Sequence, residues 1–471
     1  MAGTIQLPHR AVVRVSLPAR FLGDTAAGAS ERRAAGLAWR VPIVVLALVM
    51  FAQCFQYMID IPPLYLLSKS WPFLTLPLFV WALLRLDMPL KVLLIVTLVW
   101  IIGVTPMMGI IQLGNNFAAA LATTAKVWPF TYAFSLVGLL VWLRVPRQEL
   151  SGTILWMGAA TYVIMLALWI VVPTSAYGGG DVVTKLFMYD PERGYHLYMP
   201  MFFGMLLIFF LNRSFWIQPR LWKLALLAIC FVLQFVIYKE RTAIAAGALV
   251  VVVACASSAG RWRTAALAVL ALAAGAGAFY VVGRMQQAAD LQALGGSLAV
   301  RQISVMTAWN YLTTDPWRWL LGVGATTRFG NVTLAQLFGN RMFFLTDIGW
   351  LGVVFEYGLI GACLMAVVHM AGFIVASHWS RPDDALSQAL ADYVLYLIVV
   401  SAIYSVVFTP GELTTVIALG YYFARERKSL ETYRPVSVQS VRPMPRHIAL
   451  ASPRPSGKLS LRVPSGSASN G

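Results

Sequence analysis

Two arginines lie at positions that suit the binding of an anion. The first, Arg241, follows two other charged residues in the segment YKERTAIAAG, residues 238–247, which separates two long apolar stretches. The second, Arg301, begins the apolar stripe of a predicted helix, a stripe that continues with Val305, Ala308, Trp309 and Leu312. Guanidinium groups bind phosphate oxygens through paired hydrogen bonds and stay charged at any relevant pH. We therefore predict a site for a phosphorylated ligand, while a counter-ion within the protein remains the alternative for Arg301.

Other polar residues are predicted near the same face of the protein. Asp347, in LTDIGW, either accepts a proton or orients a neighbouring arginine. Within YKERTA, Lys239 is a candidate helper of Arg241, and Glu240 is a candidate local counter-ion. Lys126 lies inside an apolar stretch, where it faces a cavity, reaches the interface, or pairs with Glu356. The remaining candidates are Lys185, Arg193, His196, Trp309, Gly322, Gly324, Arg328 and Arg341.

The elements that hold these residues are predicted to be membrane-spanning helices. The chain of 471 residues is 59% hydrophobic and 12% charged, and its mean hydropathy is +0.73. About 20 apolar residues cross a bilayer as a helix. The alternation of period two that a membrane β-barrel needs is missing, so a bundle of about twelve helices is expected. The predicted spans are 41–58, 64–85, 90–112, 117–143, 153–172, 197–212, 220–238, 242–260, 264–283, 347–376, 388–408 and 410–424.

The distribution of basic residues predicts the topology. The net charge is +17, and arginines crowd both the segment 1–40 and the tail 425–471. An even number of spans places both ends on one side, which the positive-inside rule makes cytoplasmic. Basic charge is thereby assigned to topology and to anionic lipid, and no nucleic-acid partner is expected. The first span is predicted to be retained, and the tail to be disordered.

One long external loop, 284–346, is predicted to be folded. It contains a helical pattern from Leu298 to Leu312, a stop at TTDP, the segment WRWLLGVGA at 317–325, and an apolar pattern near 332–338. The four cysteines lie in apolar stretches without paired spacing, and the external loops lack a D-x-D pair. We therefore predict neither a disulfide framework nor a metal site, and no cofactor.

The order of four segments resembles the superfamily of O-antigen ligases and Wzy-type O-antigen and exopolysaccharide polymerases. The segments are ERTAIAAGALVVVV, RQISVMTAWNYL, DPWRWLLGVGA and LTDIGWLGVVFEYGLIG, all within about residues 235–365. Arg241 matches the arginine that opens a span in that family, Arg301 the arginine of the loop helix, and Gly322 and Gly324 the G-x-G turn. Ligases tend to carry a histidine where this chain has Asp347, and the nearest external histidine, His196, lies in another loop.

The resemblance implies an enzyme of the bacterial inner membrane. Such enzymes are metal-independent, GT-C-like glycosyltransferases that act on the periplasmic face upon undecaprenyl-pyrophosphate-linked glycan. The implied partners are that donor, an acceptor glycan, the lipid bilayer and, as a further candidate, a chain-length regulator. Asp347 in place of histidine favours a polymerase of repeat units over a ligase that transfers glycan to lipid A-core. A transporter or flippase of a lipid-linked anionic substrate is the alternative from another class.

Overall fold

The computed structural model describes residues 40–56, 58–178, 186–190, 193–265, 268–269, 296–324, 334–339, 343, 345–404, 406–408 and 410–432. The chain divides into two compact units, Met1–Glu426 and Arg427–Gly471, and only the first six residues of the second are described. The predicted span 264–283 lies almost wholly outside the described residues, as do the candidates Lys185, Arg328 and Arg341.

The described residues form helices, joined by short turns and one β-hairpin. Helices or helix pairs coincide with every predicted span that the structure describes, which confirms the all-helical class. The first helices are α1 (Arg40–Phe51), α2 (Pro62–Leu74), α3 (Leu76–Arg85), α4 (Lys91–Leu113), α5 (Phe117–Thr123), α6 (Tyr132–Leu143) and α7 (Arg147–Val171). The hairpin follows as β1 (Phe187–Asp190) and β2 (Gly194–Leu197), paired antiparallel. Next come α8 (Phe202–Ile217), α9 (Leu221–Leu233) and α10 (Arg241–Ser257).

The second half begins with the helices of the long loop. The helical pattern from Leu298 to Leu312 is confirmed as α11 (Gly296–Thr313), and the loop continues with α12 (Pro316–Leu321) and α13 (Leu334–Phe338). Asp315 caps α12, because its side chain accepts a hydrogen bond from the backbone N–H of Trp317. The last helices are α14 (Gly349–Trp379), α15 (Ala385–Ser401) and α16 (Gly411–Thr432).

Several described helices are long and apolar enough to cross a membrane. Five meet that test, or six if the bent pair Phe117–Lys126 and Trp128–Leu143 counts as one span. Four further apolar helices, α1, α8, α10 and α15, have 10–17 residues. Helix α7 exposes Trp156, Val163 and Ile170 by 66–72%, as expected of a surface that faces lipid. These lengths and surfaces fit a multi-pass membrane protein.

Helix α8 lies at the centre of the bundle. It packs against α7, α9, α10 and α15, and every residue from Phe202 to Phe209 is buried. Helix α15 is buried on most of its surface as well, and it packs against α10 and α14. A bidentate ion pair ties α8 to α15, because Nε and Nη2 of Arg213 each lie 2.6 Å from a carboxylate oxygen of Asp392. This pair fixes α8 against α15, and other residues of these helices and of α10, namely Phe202, Tyr396 and Arg241, line the candidate site.

Helix α14 is interrupted at Gly358, and a segment of the long loop forms hydrogen bonds with the interrupted turn. The φ and ψ of Gly358, 71° and 175°, are not helical, so carbonyl groups of the preceding turn lose their helical partners. The backbone N–H of Val323 donates to the carbonyl oxygen of Phe355 at 2.7 Å, and that of Gly324 to Glu356 at 3.2 Å. The loop therefore supplies the hydrogen bonds that the helix has lost.

Glycine is required at 322 and 324 because the two backbones come very close. Both residues have positive φ, 81° and 91°. A Cβ on Gly322 would lie 2.6 Å from the carbonyl oxygen of Glu356, and one on Gly324 would overlap the backbone of Gly109. The predicted role of this G-x-G turn in substrate binding therefore needs correction: protein backbone fills the space beside both glycines, and the turn joins α14 to α4.

Replacement of Gly324 by Ala is expected to destabilise the fold. The added methyl group needs a backbone shift of α4, and such overpacking typically lowers the free energy of unfolding by about 1–3 kcal/mol. Thermal unfolding of the purified protein in detergent measures the change. Gly103→Ala is the matched control. Gly103 lies in α4, the helix that Gly324 contacts, and a Cβ on Gly103 would meet nothing within 4 Å. Equal unfolding temperatures for the two variants would contradict the role given to Gly324.

Candidate functional site

One cavity brings the three predicted catalytic residues together. It has a volume of about 580 Å³, and its lining includes Arg241, Arg301 and Asp347, together with the predicted substrate-binding residue Arg193. These four residues come from α10, α11, the 3₁₀ turn Leu345–Ile348 and the turn between β1 and β2. The cavity thus lies where the long loop meets the hairpin and the central helices.

Arg241 owes its place to a sharp turn between two helices. Helix α9 ends in a π-helical turn, Gln234–Tyr238, and Lys239 follows in the left-handed region with φ of 55°. Glu240 is extended, and α10 begins at Arg241. A cation in the first turn of a helix is unfavourable, because the helix dipole and the free N–H groups there attract anions. A bound anion would satisfy both the guanidinium and the helix end.

The arginines of the cavity differ in their partners. Arg193 pairs with Glu240, at 2.9 Å from Nη1 to Oε1, which confirms the prediction that Glu240 is a local counter-ion. Among the described residues, Arg241 and Arg301 make no hydrogen bond or salt bridge with the protein. Arg301 is attracted to Asp347 through space, without a direct ion pair. Both guanidinium groups therefore line the cavity, and no hydrogen bond from the described part of the chain occupies their donors.

Asp347 lies close enough to Arg301 for their charges to interact, and it has a further polar neighbour. The hydroxyl group of Thr346 lies 3.4 Å from Oδ1 of Asp347, and both residues line the cavity. Asp347 is only partly buried, so its carboxylate is accessible from the cavity. This position suits either predicted role, proton acceptor or orienting group for Arg301.

Lys126 lies outside the cavity lining and forms an ion pair within the protein. Its Nζ atom is 2.6 Å from Oε1 and 2.7 Å from Oε2 of Glu356, a residue with 1% side-chain exposure. The ammonium also lies 4.8 Å from the ring centre of Phe408. The predicted pairing of Lys126 with Glu356 is confirmed. Lys126 does not line the cavity, so its predicted contact with substrate needs correction: the buried carboxylate takes up its charge.

His196 and Lys239 each make a hydrogen bond to the backbone of the β-hairpin. His196 is 1% exposed, and its Nδ1 lies 3.0 Å from the carbonyl oxygen of Gly194, since the alternation of β2 points it into the core. Lys239 donates from Nζ to the carbonyl oxygen of Arg193 at 2.8 Å. Neither residue lines the cavity, and both predicted ligand roles are corrected to structural ones.

Trp309 lies on a different face of α11 from the one predicted. Ser304, Ala308 and Leu312 are buried at four-residue spacing, whereas Trp309 is 52% exposed. The buried stripe of α11 is therefore narrower than the apolar pattern suggested. The ring of Trp309 packs edge-on against Trp319, with centres 4.9 Å apart, and it does not line the cavity. The structure assigns Trp309 to packing between α11 and α12, and its contact with substrate stays a prediction.

Sequence reasoning missed the tyrosine-rich part of the cavity lining. Five tyrosines and one acid belong to this part, namely Tyr198, Tyr238, Tyr393, Tyr396, Tyr404 and Glu412. The hydroxyl group of Tyr393 donates to Oε2 of Glu412 at 2.8 Å. A single acid in the apolar stretch that follows FTPG was the one available signal, because an unpaired carboxylate in such a stretch needs a polar environment.

No family model matches the sequence, and a search of curated proteins returns no match. Function is therefore inferred from the geometry of the cavity and from the resemblance carried by the four segments.

Proposed function

We propose that the chain is a membrane glycosyltransferase that polymerises undecaprenyl-pyrophosphate-linked repeat units, as Wzy-type polymerases do. In this proposal the chain has about twelve spans in a GT-C-like arrangement, lies in the bacterial inner membrane with both termini in the cytoplasm, and acts on the periplasmic face. One observation carries the proposal: Arg241 and Arg301, from separate parts of the chain, line one cavity with Asp347, and neither guanidinium makes a hydrogen bond or salt bridge with a described residue.

The proposed reaction is a single displacement with inversion. An acceptor sugar hydroxyl attacks the anomeric carbon of the donor, and the bond between that carbon and the pyrophosphate oxygen breaks. The leaving pyrophosphate keeps the electron pair, and Arg241 and Arg301 stabilise its growing charge, aided by the free N–H groups at the start of α10. The proton of the hydroxyl passes to the carboxylate of Asp347.

Replacement of Asp347 by Asn separates its two candidate roles. If the carboxylate accepts the proton, the variant is expected to lose about 10²–10⁴ of the transfer rate, which is the usual contribution of such a group. If Asp347 only orients Arg301, Asn retains most of the rate, because an amide oxygen still accepts hydrogen bonds. Chain growth per unit time in the producing strain is the measurement. An unchanged rate would remove the proton-acceptor role and leave the arginine site intact.

A transporter or flippase of a lipid-linked anion is the second candidate function. Two interrupted helices favour it: the pair Phe117–Lys126 and Trp128–Leu143 bends by 51°, and α14 breaks at Gly358. Lys126 and Glu356 join these interruptions, and broken helices with charged residues are typical of transporter sites. Transfer is favoured over transport because Arg241 and Arg301, which have no salt bridge with any described residue, line a different cavity, whereas Lys126 and Glu356 are paired with each other.

Deletion of the gene distinguishes the candidates by what accumulates. A polymerase defect leaves single repeat units on undecaprenyl pyrophosphate at the periplasmic face, and polymer disappears. A ligase defect leaves finished polymer on the lipid carrier, with lipid A-core free of glycan. A flippase defect leaves single units at the cytoplasmic face. We expect the first result, and either of the other two would overturn the proposed function in favour of the corresponding alternative.

A further inference from the structure

The helices of the long loop carry six apolar side chains that are each 38–62% exposed. This set, the loop face, consists of Ile303, Val305, Met306 and Trp309 of α11 and Trp317 and Leu320 of α12. Arg301 is the only charged residue of α11, and it lines the cavity described above. A helix surface in water usually carries charged side chains, and a contiguous exposed apolar surface marks a contact with a membrane or a partner. The loop face therefore needs an apolar neighbour.

Helix α12 is held beside two helices that are long and apolar enough to cross a membrane, α4 and α14. Nε of Arg318 in α12 donates to Oε1 of Gln112 at 2.9 Å, and Gln112 belongs to the last turn of α4. The backbone of Leu320 lies against Gly358, at the interruption of α14. A membrane crossed by α4 and α14 would therefore reach the level of α12.

The surface of α4 next to this contact has the same apolar character. Met107 and Ile111, in the last two turns of α4, are 62% and 73% exposed, as expected of side chains that face lipid. Tryptophan is enriched where a membrane meets water, and α11 and α12 contribute Trp309 and Trp317 to the loop face. A lipid interface accounts for both exposed surfaces without a further component.

We propose that the loop face binds the surface of the lipid bilayer, with its apolar side chains at the boundary between headgroups and acyl chains. The long loop is then part of the membrane-bound body of the protein and not a domain surrounded by water. Arg301 lies three residues before the buried Ser304, on the inner side of the same helix. Lipid contact on one side of α11 thus holds a cavity residue on the other. The inference is independent of the chemistry proposed for the cavity.

Spin labels on single cysteines test the position of the loop face in the full chain. The four native cysteines are replaced by alanine, and a label is attached to Met306→Cys or to Trp317→Cys in protein reconstituted into liposomes. Oxygen concentrates in the bilayer and a water-soluble nickel complex stays outside, so the ratio of their collision rates with the label gives its depth. We expect both labels to lie about 5–10 Å into the boundary between headgroups and acyl chains.

Two labels calibrate the measurement. Ile111→Cys, on the exposed side of α4, should give the value of lipid, and Ser175→Cys, exposed in the 3₁₀ turn after α7, should give the value of water. A water value at both loop sites would overturn the proposal. Exclusion of both reagents from an immobile label would show that a protein partner covers the loop face, which would overturn it equally. If a label lowers the unfolding temperature of the chain, Ile303→Cys replaces that site and decides the question.

Discussion

Alanine in place of Arg241 or of Arg301 is expected to abolish detectable polymer. Each guanidinium is assigned to the departing pyrophosphate, and loss of one such contact typically costs 10²–10³ in rate. Arg241→Lys should restore only part of the rate, because an ammonium keeps the charge but loses the paired hydrogen-bond geometry. The measurement is polymer made by a strain in which each variant replaces the chromosomal copy. The amount of variant protein in the membrane fraction is measured beside it.

Arg85→Ala is the control for the two arginine variants. Arg85 is exposed in the last turn of α3, and it does not line the cavity. We expect it to make polymer at the wild-type level. Wild-type polymer from both Arg241→Ala and Arg301→Ala would contradict the assignment of the cavity. Loss in one variant alone would restrict the pyrophosphate contact to that arginine.

Replacement of Lys126 by Met is expected to destabilise the fold more than Gly324→Ala does. It leaves the carboxylate of Glu356 buried, at 1% exposure, without its cation. Removal of one partner from a buried ion pair typically costs about 3–5 kcal/mol, whereas apolar replacement of both partners is often neutral. The double variant Lys126→Met with Glu356→Met should therefore be more stable than Lys126→Met. Thermal unfolding in detergent gives the stability of Lys126→Met, of Glu356→Met and of the double variant. Together with the wild type, these values form a double-mutant cycle.

The same double variant also separates the two candidate functions. Under the proposed function, the pair between Lys126, in the 3₁₀ turn after α5, and Glu356 of α14 only stabilises the fold, so the double variant keeps polymer synthesis. A transporter that uses the charges at its interrupted helices would lose activity with either the single or the double change. Additive destabilisation by the two single changes, or loss of activity in a stable double variant, would contradict the structural role of the pair.

The helices were largely predictable because long apolar stretches have few alternatives to a helix in a membrane. The pattern from Leu298 to Leu312 predicted α11 nearly to its ends. The interruption of α14 was not predicted, because a single Gly358 in an apolar stretch is compatible with an unbroken helix. What breaks the helix there is the close approach of Gly322, which lies 36 residues earlier in sequence and is brought near only by tertiary packing.

Part of the cavity was predictable, because charged residues in or beside apolar stretches need a ligand or a partner. Arg241, Arg301, Arg193 and Asp347 were predicted and lie together. Lys126 and His196 have the same polar character but point into the core, and the sequence does not distinguish a buried partner from a ligand. The tyrosine-rich part of the lining was missed because tyrosines at apolar positions of a helix look like ordinary core residues. The packing of α15 beside α8 and α10 brings Tyr393 and Tyr396 to the cavity.

Reconstitution of the purified chain tests the central claim most directly. The protein is placed in liposomes with undecaprenyl-pyrophosphate-linked repeat units, isolated from the strain that lacks the gene, and the glycan length and the released lipid pyrophosphate are followed together. We predict that chains of two or more units appear, with one undecaprenyl pyrophosphate released for each new linkage, and that Arg241→Ala and Arg301→Ala suppress both products. Unchanged repeat units, in vesicles where the wild-type protein is folded and the lipid is accessible, would contradict the account.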